Sequence, residues 1–526
     1  MGNNNQPSTK KKIGLLSTVL LVIGSSIGAG IFLKNYTILD YNNQSISMSL
    51  ISWVIGLVGI FALALTLKEI VSGCSKTNSQ GMVGWNRTYN GNFVYQSSKN
   101  FMAYLHLPIW YLILPYYAIK MVQDAFGFQL DWWYAMLISL AFLTYFLFVS
   151  GLSTRVANIQ NWVVTSIKFV PIAFAALVGL ILIWSGTIQM NDNWWGPTDT
   201  HPGPDYQLFS QMFSLGILAS LPAVFFAFDG FYTTAGIQSQ MKEPKKSSMA
   251  MGLGIAIVGF IDIVISISLL LASQDGTIAG LSWFKDAGLW WVIQTIQVLI
   301  AFGMIGIMNA LSIYTVRYYE DLVRTDEIPF GKKFKDKLND NRPIVGVIYA
   351  YILFSAFIIF GGIIGGTVFL DTGSYGDQYG TGMNTLYSFL DNVGEWNAVF
   401  GFGFIVLAVV GCLRNRKTKK IKTEKTKAFI PASLVTIIIV GVGLSYVFVE
   451  SIGNIIVISD YYTNGYVVNG ITMYVDTLTL ISSYMVLIVL ALFCGIMFIP
   501  SLVRIFYFDK KHYKNLVVSR DKKTND

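Results

Sequence analysis

The stretch Gly24-Ser25-Ser26-Ile27-Gly28-Ala29-Gly30-Ile31-Phe32 lies inside the first long apolar run of the chain. Three glycines and two serines within seven residues are not there for helix propensity, since Gly costs about 1 kcal/mol against Ala at each helix-interior position. A helix running through this stretch is expected to break. At membrane depth a break leaves backbone N–H and C=O groups without partners, which is tolerated only where they line a cavity or meet a ligand. A solute with charges of its own supplies such partners. The competing reading of the same glycines is a close helix-packing surface of the small-xxx-small kind.

Composition places the break in a membrane. Of 526 residues 54% are hydrophobic, 15% aromatic and only 13% charged, against roughly 25% charged in a soluble domain. The chain reads as an all-α polytopic membrane protein. Its three cysteines, Cys74, Cys412 and Cys494, form no CxxC pattern and no disulfide scaffold. No metal site and no cofactor motif is visible. The N-terminal Lys10-Lys11-Lys12 before an apolar run has the look of a signal peptide, but no small-x-small cleavage site ends that run. It is read as a transmembrane helix.

Twelve runs are long enough to span about 30 Å of hydrocarbon: 13–33, 46–71, 102–122, 133–150, 160–185, 210–236, 249–272, 289–317, 343–369, 394–413, 428–449 and 478–506. Alternating the loops between the two sides puts 33 of the 37 Lys and Arg residues on one side and leaves only Lys34, Lys120 and Lys285 on the other, with Lys168 inside a helix. Positive loops face the cytoplasm, so both termini are expected there, in the plasma membrane. The net charge of +8 is the sum of these loops, of which 414–427 is the most basic. It indicates attraction to anionic lipid, not nucleic-acid binding.

A second interruption, Phe225-Phe226-Ala227-Phe228-Asp229-Gly230-Phe231-Tyr232-Thr233-Thr234-Ala235-Gly236, falls in the sixth run. Five helices separate the two breaks, and five is odd, so a second set of five crosses in the opposite sense to the first. That is the geometry of a five-plus-five inverted repeat, a construction found in secondary transporters. The expected organisation is a cytoplasmic tail at 1–12, a first repeat at 13–185, a second at 210–413, two extra helices at 428–506 and a second cytoplasmic tail at 507–526.

These motifs resemble those of the amino acid–polyamine–organocation superfamily. Gly24 to Phe32 is similar to its helix-one G-x-x-I-G-x-G-I-F, and Phe226-Ala-Phe-Asp-Gly-Phe231 followed by Lys242-Glu243-Pro244 resembles its helix-six pattern. Lys168 stands where the proton-coupled and cationic amino acid transporter branches carry a helix-five lysine. The chain departs from the pattern at Gln240, where the family usually has a glutamate. The resemblance implies a LeuT-like fold with discontinuous helices one and six. It also implies that Lys168 occupies the place of a coupling sodium in related sodium-driven transporters.

The residues themselves say what the chemistry needs. Burying an amino acid's carboxylate or ammonium without partners costs several kcal/mol. A broken helix one offers N–H groups at Gly28, Ala29 and Gly30 at the positive end of a half-helix. The carbonyls of Phe226, Ala227 and Asp229 can accept from an ammonium. The expected substrate site is therefore Gly24, Ser25, Ser26, Ile27, Gly28, Ala29 and Gly30 on helix one, with Phe226, Ala227, Phe228 and Asp229 on helix six. Phe226 is the first choice for an aromatic gate.

An ammonium at mid-bilayer usually marks an ion or proton pathway, so Lys168 is the candidate proton carrier. The alternative is a structural ion pair with Asp229 or Asp262. Asp229 either faces the cavity, favouring a cationic side chain, or caps helical N–H groups. Glu69 is expected to be a solvated helix-end residue. The sequence as a whole reads as a secondary active amino acid transporter, a permease working by alternating access with proton-coupled uptake; an amino acid/polyamine exchanger of the same fold is the alternative. No HExxH, GxSxG or Walker A sequence and no repeated pore-loop motif supports an enzyme, an ATP-driven pump or a channel. The partners are an amino acid, a proton and lipid, and no residue pattern indicates an oligomeric state.

Overall fold

The computed structural model describes residues 14–16, 19, 22–23, 30–74, 81–195, 208–232, 246–339, 342–371, 375–468 and 470–509. Residues 24–29 of the helix-one motif, Thr233–Gly236, Gln240 and Lys242–Pro244 lie outside them.

Ten helices are long and apolar enough to cross a membrane. With two short ones they follow the chain as α1 (Gly30–Tyr41), α2 (Ile46–Cys74), α3 (Asn92–Phe126), α4 (Trp132–Ser150), α5 (Thr154–Trp184), α6 (Gly216–Ala227), α7 (Met249–Ala272), α8 (Trp290–Arg324), α9 (Ile344–Val368), α10 (Met383–Thr418), α11 (Phe429–Thr463) and α12 (Thr477–Phe506). A two-stranded hairpin, Tyr466–Val468 with Ile471–Met473, joins the last two. The short members are α1 and α6, each 12 residues. At 1.5 Å per residue α6 reaches only about 18 Å, little more than half the hydrocarbon thickness; α1 is described only from Gly30 onward.

Helix α6 stops where its composition says it should. Gly230 follows in the left-handed region at φ 103°, a conformation that costs glycine nothing and other residues strain. The expected spans need correction at four places, one of them the eleventh, which runs to Thr463 instead of ending at 449. The first was expected to end at residue 33, but α1 continues to Tyr41 and carries Lys34 within it. The third begins at Asn92 instead of 102, and the tenth at Met383 instead of 394. In each case polar or charged residues inside a helix lowered the local hydropathy while the helix continued.

Helices five places apart pack on one another: α1 with α6, α2 with α7, α3 with α8 and α4 with α9. A two-fold relating the halves generates these contacts. In lipid there is little hydrophobic drive between helices, so burial marks position in the bundle. The most apolar window of α3 is 89% buried and that of α10 72%, against 22% for α12. Helices α3 and α10 form the centre and α12 the rim.

Segments predicted to share a side also touch. Near one end Asn35 donates to Gly276 O, Asn193 to Gln44 O, and the Leu130 N–H to Tyr379 O. At the other, Tyr95 and Lys99 meet Glu327, and Arg416 meets Glu69. Glu69 is not solvated as expected: it is fully buried and takes a bidentate guanidinium from Arg416 at 2.7 and 2.6 Å plus the Thr426 N–H at 2.9 Å. Arg416 also donates to Thr426 O, so the basic segment 414–427 is folded back over the end of α2.

Candidate functional site

The described start of α1, at Gly30, meets the end of α6. A Cβ at that position would fall 2.5 Å from Ala227 Cα, so the opening of the described part of α1 lies against the end of α6 with no room for any side chain. Gly30 and Ala227 are brought together as expected, whereas Gly24, Ser25, Ser26, Ile27, Gly28 and Ala29 lie outside the described residues.

Past Ala227 the chain turns by hydrogen bonds from the Phe228 N–H to Phe225 O and from the Asp229 N–H to Phe226 O. The Phe226 carbonyl, expected to serve an ammonium, therefore already accepts a backbone bond. The Phe226 ring is stacked on Trp110, with centroids 5.6 Å apart, and faces the Lys34 ammonium at 5.5 Å. Phe228 points elsewhere: its fully buried ring packs edge-on against Trp53 of α2.

Asp229 is 8% exposed, and its Oδ1 accepts from the Gly230 N–H at 2.8 Å. It is within hydrogen-bonding reach of the Tyr232 hydroxyl and within the field of His106. His106 ends a π-helical turn, Met102–His106, in α3; such turns re-aim a side chain and recur at functional sites. Its Nδ1 lies 3.0 Å from Asn397 Oδ1, and its Nε2 lies 3.3 Å from the Tyr232 hydroxyl. Each ring nitrogen thus has a polar partner. The result is a buried polar chain, Asp229–Tyr232–His106–Asn397, joining α6, α3 and α10. In the sequence the histidines are scattered, and nothing in their spacing foretold it.

The largest omission of sequence reasoning is a charged cluster beside Phe226. Lys34, fully buried, places Nζ 3.0 Å from Asp391 Oδ1 and 3.4 Å from Glu395 Oε1. The Tyr117 hydroxyl donates to Asp391 Oδ1 and that of Tyr375 to Oδ2, both at 2.6 Å. Asp391 and Glu395 stand four residues apart on one face of α10. That spacing was the available signal, but Asp391 fell outside the expected tenth span, 394–413, and Glu395 at its very start.

Lys168 lies on α5 with its methylenes against Gly303 of α8, its Cγ 3.3 Å from where a Cβ would stand. Among the described residues it has no hydrogen bond or ion pair, and in particular none to Asp229 or Asp262. No such contact links it to Gly30, Phe226 or Asp229. Asp262 is buried on α7.

A membrane bundle in which one helix stops at mid-span beside a buried charge cluster has the architecture of a transporter, and comparison with known proteins agrees. A family model described as amino acid permease matches residues 13–471. The chain belongs to the amino acid permease family. It is 31% identical to an uncharacterized protein of Mycoplasma pneumoniae, over 95% of both chains. It is 26% identical to the serine/threonine exchanger SteT of Bacillus subtilis, over 62% of this chain and 70% of that one. It is also 26% identical to the b(0,+)-type amino acid transporter 1 of Mus musculus, over 57% and 60% respectively. The crystal structure of MhsT in complex with L-phenylalanine superposes with a TM-score of 0.50 at 12% identity, covering 82% of this chain and 97% of that one. That likeness is one of fold alone.

Proposed function

We propose that this protein takes up amino acids by alternating access, with the substrate held between the helix-one and helix-six breaks and transport driven by a proton carried on Lys168. The observation that carries the reading is the meeting of Gly30, the last glycine of the helix-one motif, with Ala227 at the end of α6. The substrate carboxylate is assigned to the backbone N–H groups of residues 28–30 and its ammonium to carbonyls at the end of α6, so that neither charge is buried unpaired. Small side chains at 24–30 let the ligand reach that backbone.

Lys168 supports the coupling assignment because no described carboxylate neutralises it. A structural ion pair, the alternative for an intramembrane lysine, would need one. Both termini and the basic loops are assigned to the cytoplasmic face of the plasma membrane by the positive-inside rule. A second reading, obligate exchange of one amino acid for another, is favoured by the exchanger among the relatives.

Purified protein in proteoliposomes, offered each of the twenty amino acids and the common polyamines with and without a pH gradient, tests the proposal. Uptake of a subset of amino acids, enhanced by an acid exterior, is the expected result. Uptake only into vesicles preloaded with amino acid would select the exchanger. Absence of uptake under both conditions would contradict each reading.

A further inference from the structure

The Lys34 cluster does not balance its charge. One lysine faces two carboxylates, and the two carboxylates are served unequally. Asp391 has three donors, the Lys34 ammonium and two tyrosine hydroxyls, filling both of its oxygens. Hydrogen bonding of this kind to a carboxylate favours its ionised form. Among the described residues Glu395 has only the Lys34 ammonium, at 3.4 Å on one oxygen. It also sits one helical turn from the Asp391 charge, and two carboxylates sharing a site cannot both ionise cheaply.

The other groups facing the cluster offer no second cation. From α1 come Lys34 and Tyr41, from α3 Tyr117, from α6 the Phe226 ring, and from the segment before α10 Tyr375. Glu450 of α11 is felt across Tyr41 and adds negative charge. Lys120 is engaged with Asp124 at 2.7 Å.

From this arrangement we infer that Glu395 is a proton-binding site on the transport pathway, separate from Lys168, and that its proton completes the charge balance that lets α1, α3 and α10 close together through Lys34 and Asp391. With the proton bound, the cluster is a neutral Lys34–Asp391 pair beside a carboxylic acid. Without it, one negative charge is left over, and burying that charge as the helices close carries a desolvation cost. A proton linked in this way changes substrate affinity, and substrate changes the proton's affinity reciprocally. The proton site stands on the geometry of the cluster; its effect on uptake rests on the transporter reading.

The test is difference infrared spectroscopy of the purified full-length protein through a pH titration, which reads the C=O stretch of a protonated carboxylic acid without requiring transport. The wild type is expected to show a carboxylic-acid band that titrates. Glu395→Gln, nearly isosteric with the protonated acid, should lose that band and remain monodisperse, and Glu395→Asp should restore a shifted one. Asp391→Asn should weaken the band strongly, because Lys34 is then free to pair with an ionised Glu395. A band unchanged in Glu395→Gln, or no titrating band in the wild type, would overturn the inference. In proteoliposomes Glu395→Gln should flatten the pH dependence of substrate affinity, which for one linked proton reaches at most about tenfold per pH unit. A protein that shows the Glu395 band but moves no amino acid would leave the proton site standing and refute the transport reading alone.

Discussion

At the scale of single residues, the site's charges differ in what their removal should cost. Lys34 neutralises Asp391 and lies near Glu395 with its ammonium fully buried. Lys34→Met should therefore destabilise the fold by on the order of 3–5 kcal/mol, the cost of leaving a buried partner uncompensated. A drop in the thermal melting temperature of the purified protein checks this, and Lys34→Arg should recover part of it. Asp229 caps only one N–H, that of Gly230, and has capacity left for a ligand. Asp229→Asn should weaken a cationic amino acid roughly tenfold or more while neutral substrates change by less than about threefold, since a poorly screened charge pair is lost. Competition binding with arginine and with a neutral amino acid separates the two. An equal loss for both would make Asp229 a structural cap.

Among the helices, the close approach of α1 and α6 leads to a further prediction. Gly30→Val puts branched carbons where Ala227 Cα already stands 2.5 Å from a Cβ. The breaks must move apart, so substrate binding should be abolished while the protein still inserts and purifies as a monodisperse particle. Wild-type affinity would return this glycine to simple packing. The latch between Glu69 and Arg416 concerns the other end of the bundle. Glu69→Gln removes the ionic acceptor of two guanidinium bonds, each worth about 1.5–3 kcal/mol. Trypsin should then cut within 414–427 faster than in wild type. The end of α6 at Ala227 was legible in the sequence from the Asp229-Gly230 that follows it, while the helix-one break expected at 24–30 lies mostly outside the described residues. The charged ends of α1 and α10 were not legible. Lys34 and Asp391 look like loop residues when hydropathy is averaged along the chain, and Glu395 stands at the edge of its expected span; mutual neutralisation between α1 and α10 keeps them inside. His106 was illegible for the same reason: its partners Asn397 and Tyr232 are distant in sequence, and no local pattern links them. Glu69 was misread because its partner, Arg416, comes from a loop whose positive charges were explained by lipid alone.

Across the whole molecule, the packing of helices five places apart and the contacts between segments of like side express a two-halved bundle around two interruptions. A bundle of this kind gives two equivalent ways to open, one toward each face, about a site near the middle. Lys168 ties the direction of transport to a proton in this scheme, as the single basic side chain set deep in a span without a described acidic partner. The decisive measurement is accumulation of a labelled substrate amino acid in proteoliposomes under an imposed pH gradient, comparing wild type with Lys168→Ala. The wild type should concentrate substrate in proportion to the gradient, while Lys168→Ala should show little net uptake. A Lys168→Ala protein that still accumulates substrate in proportion to the gradient would contradict the account.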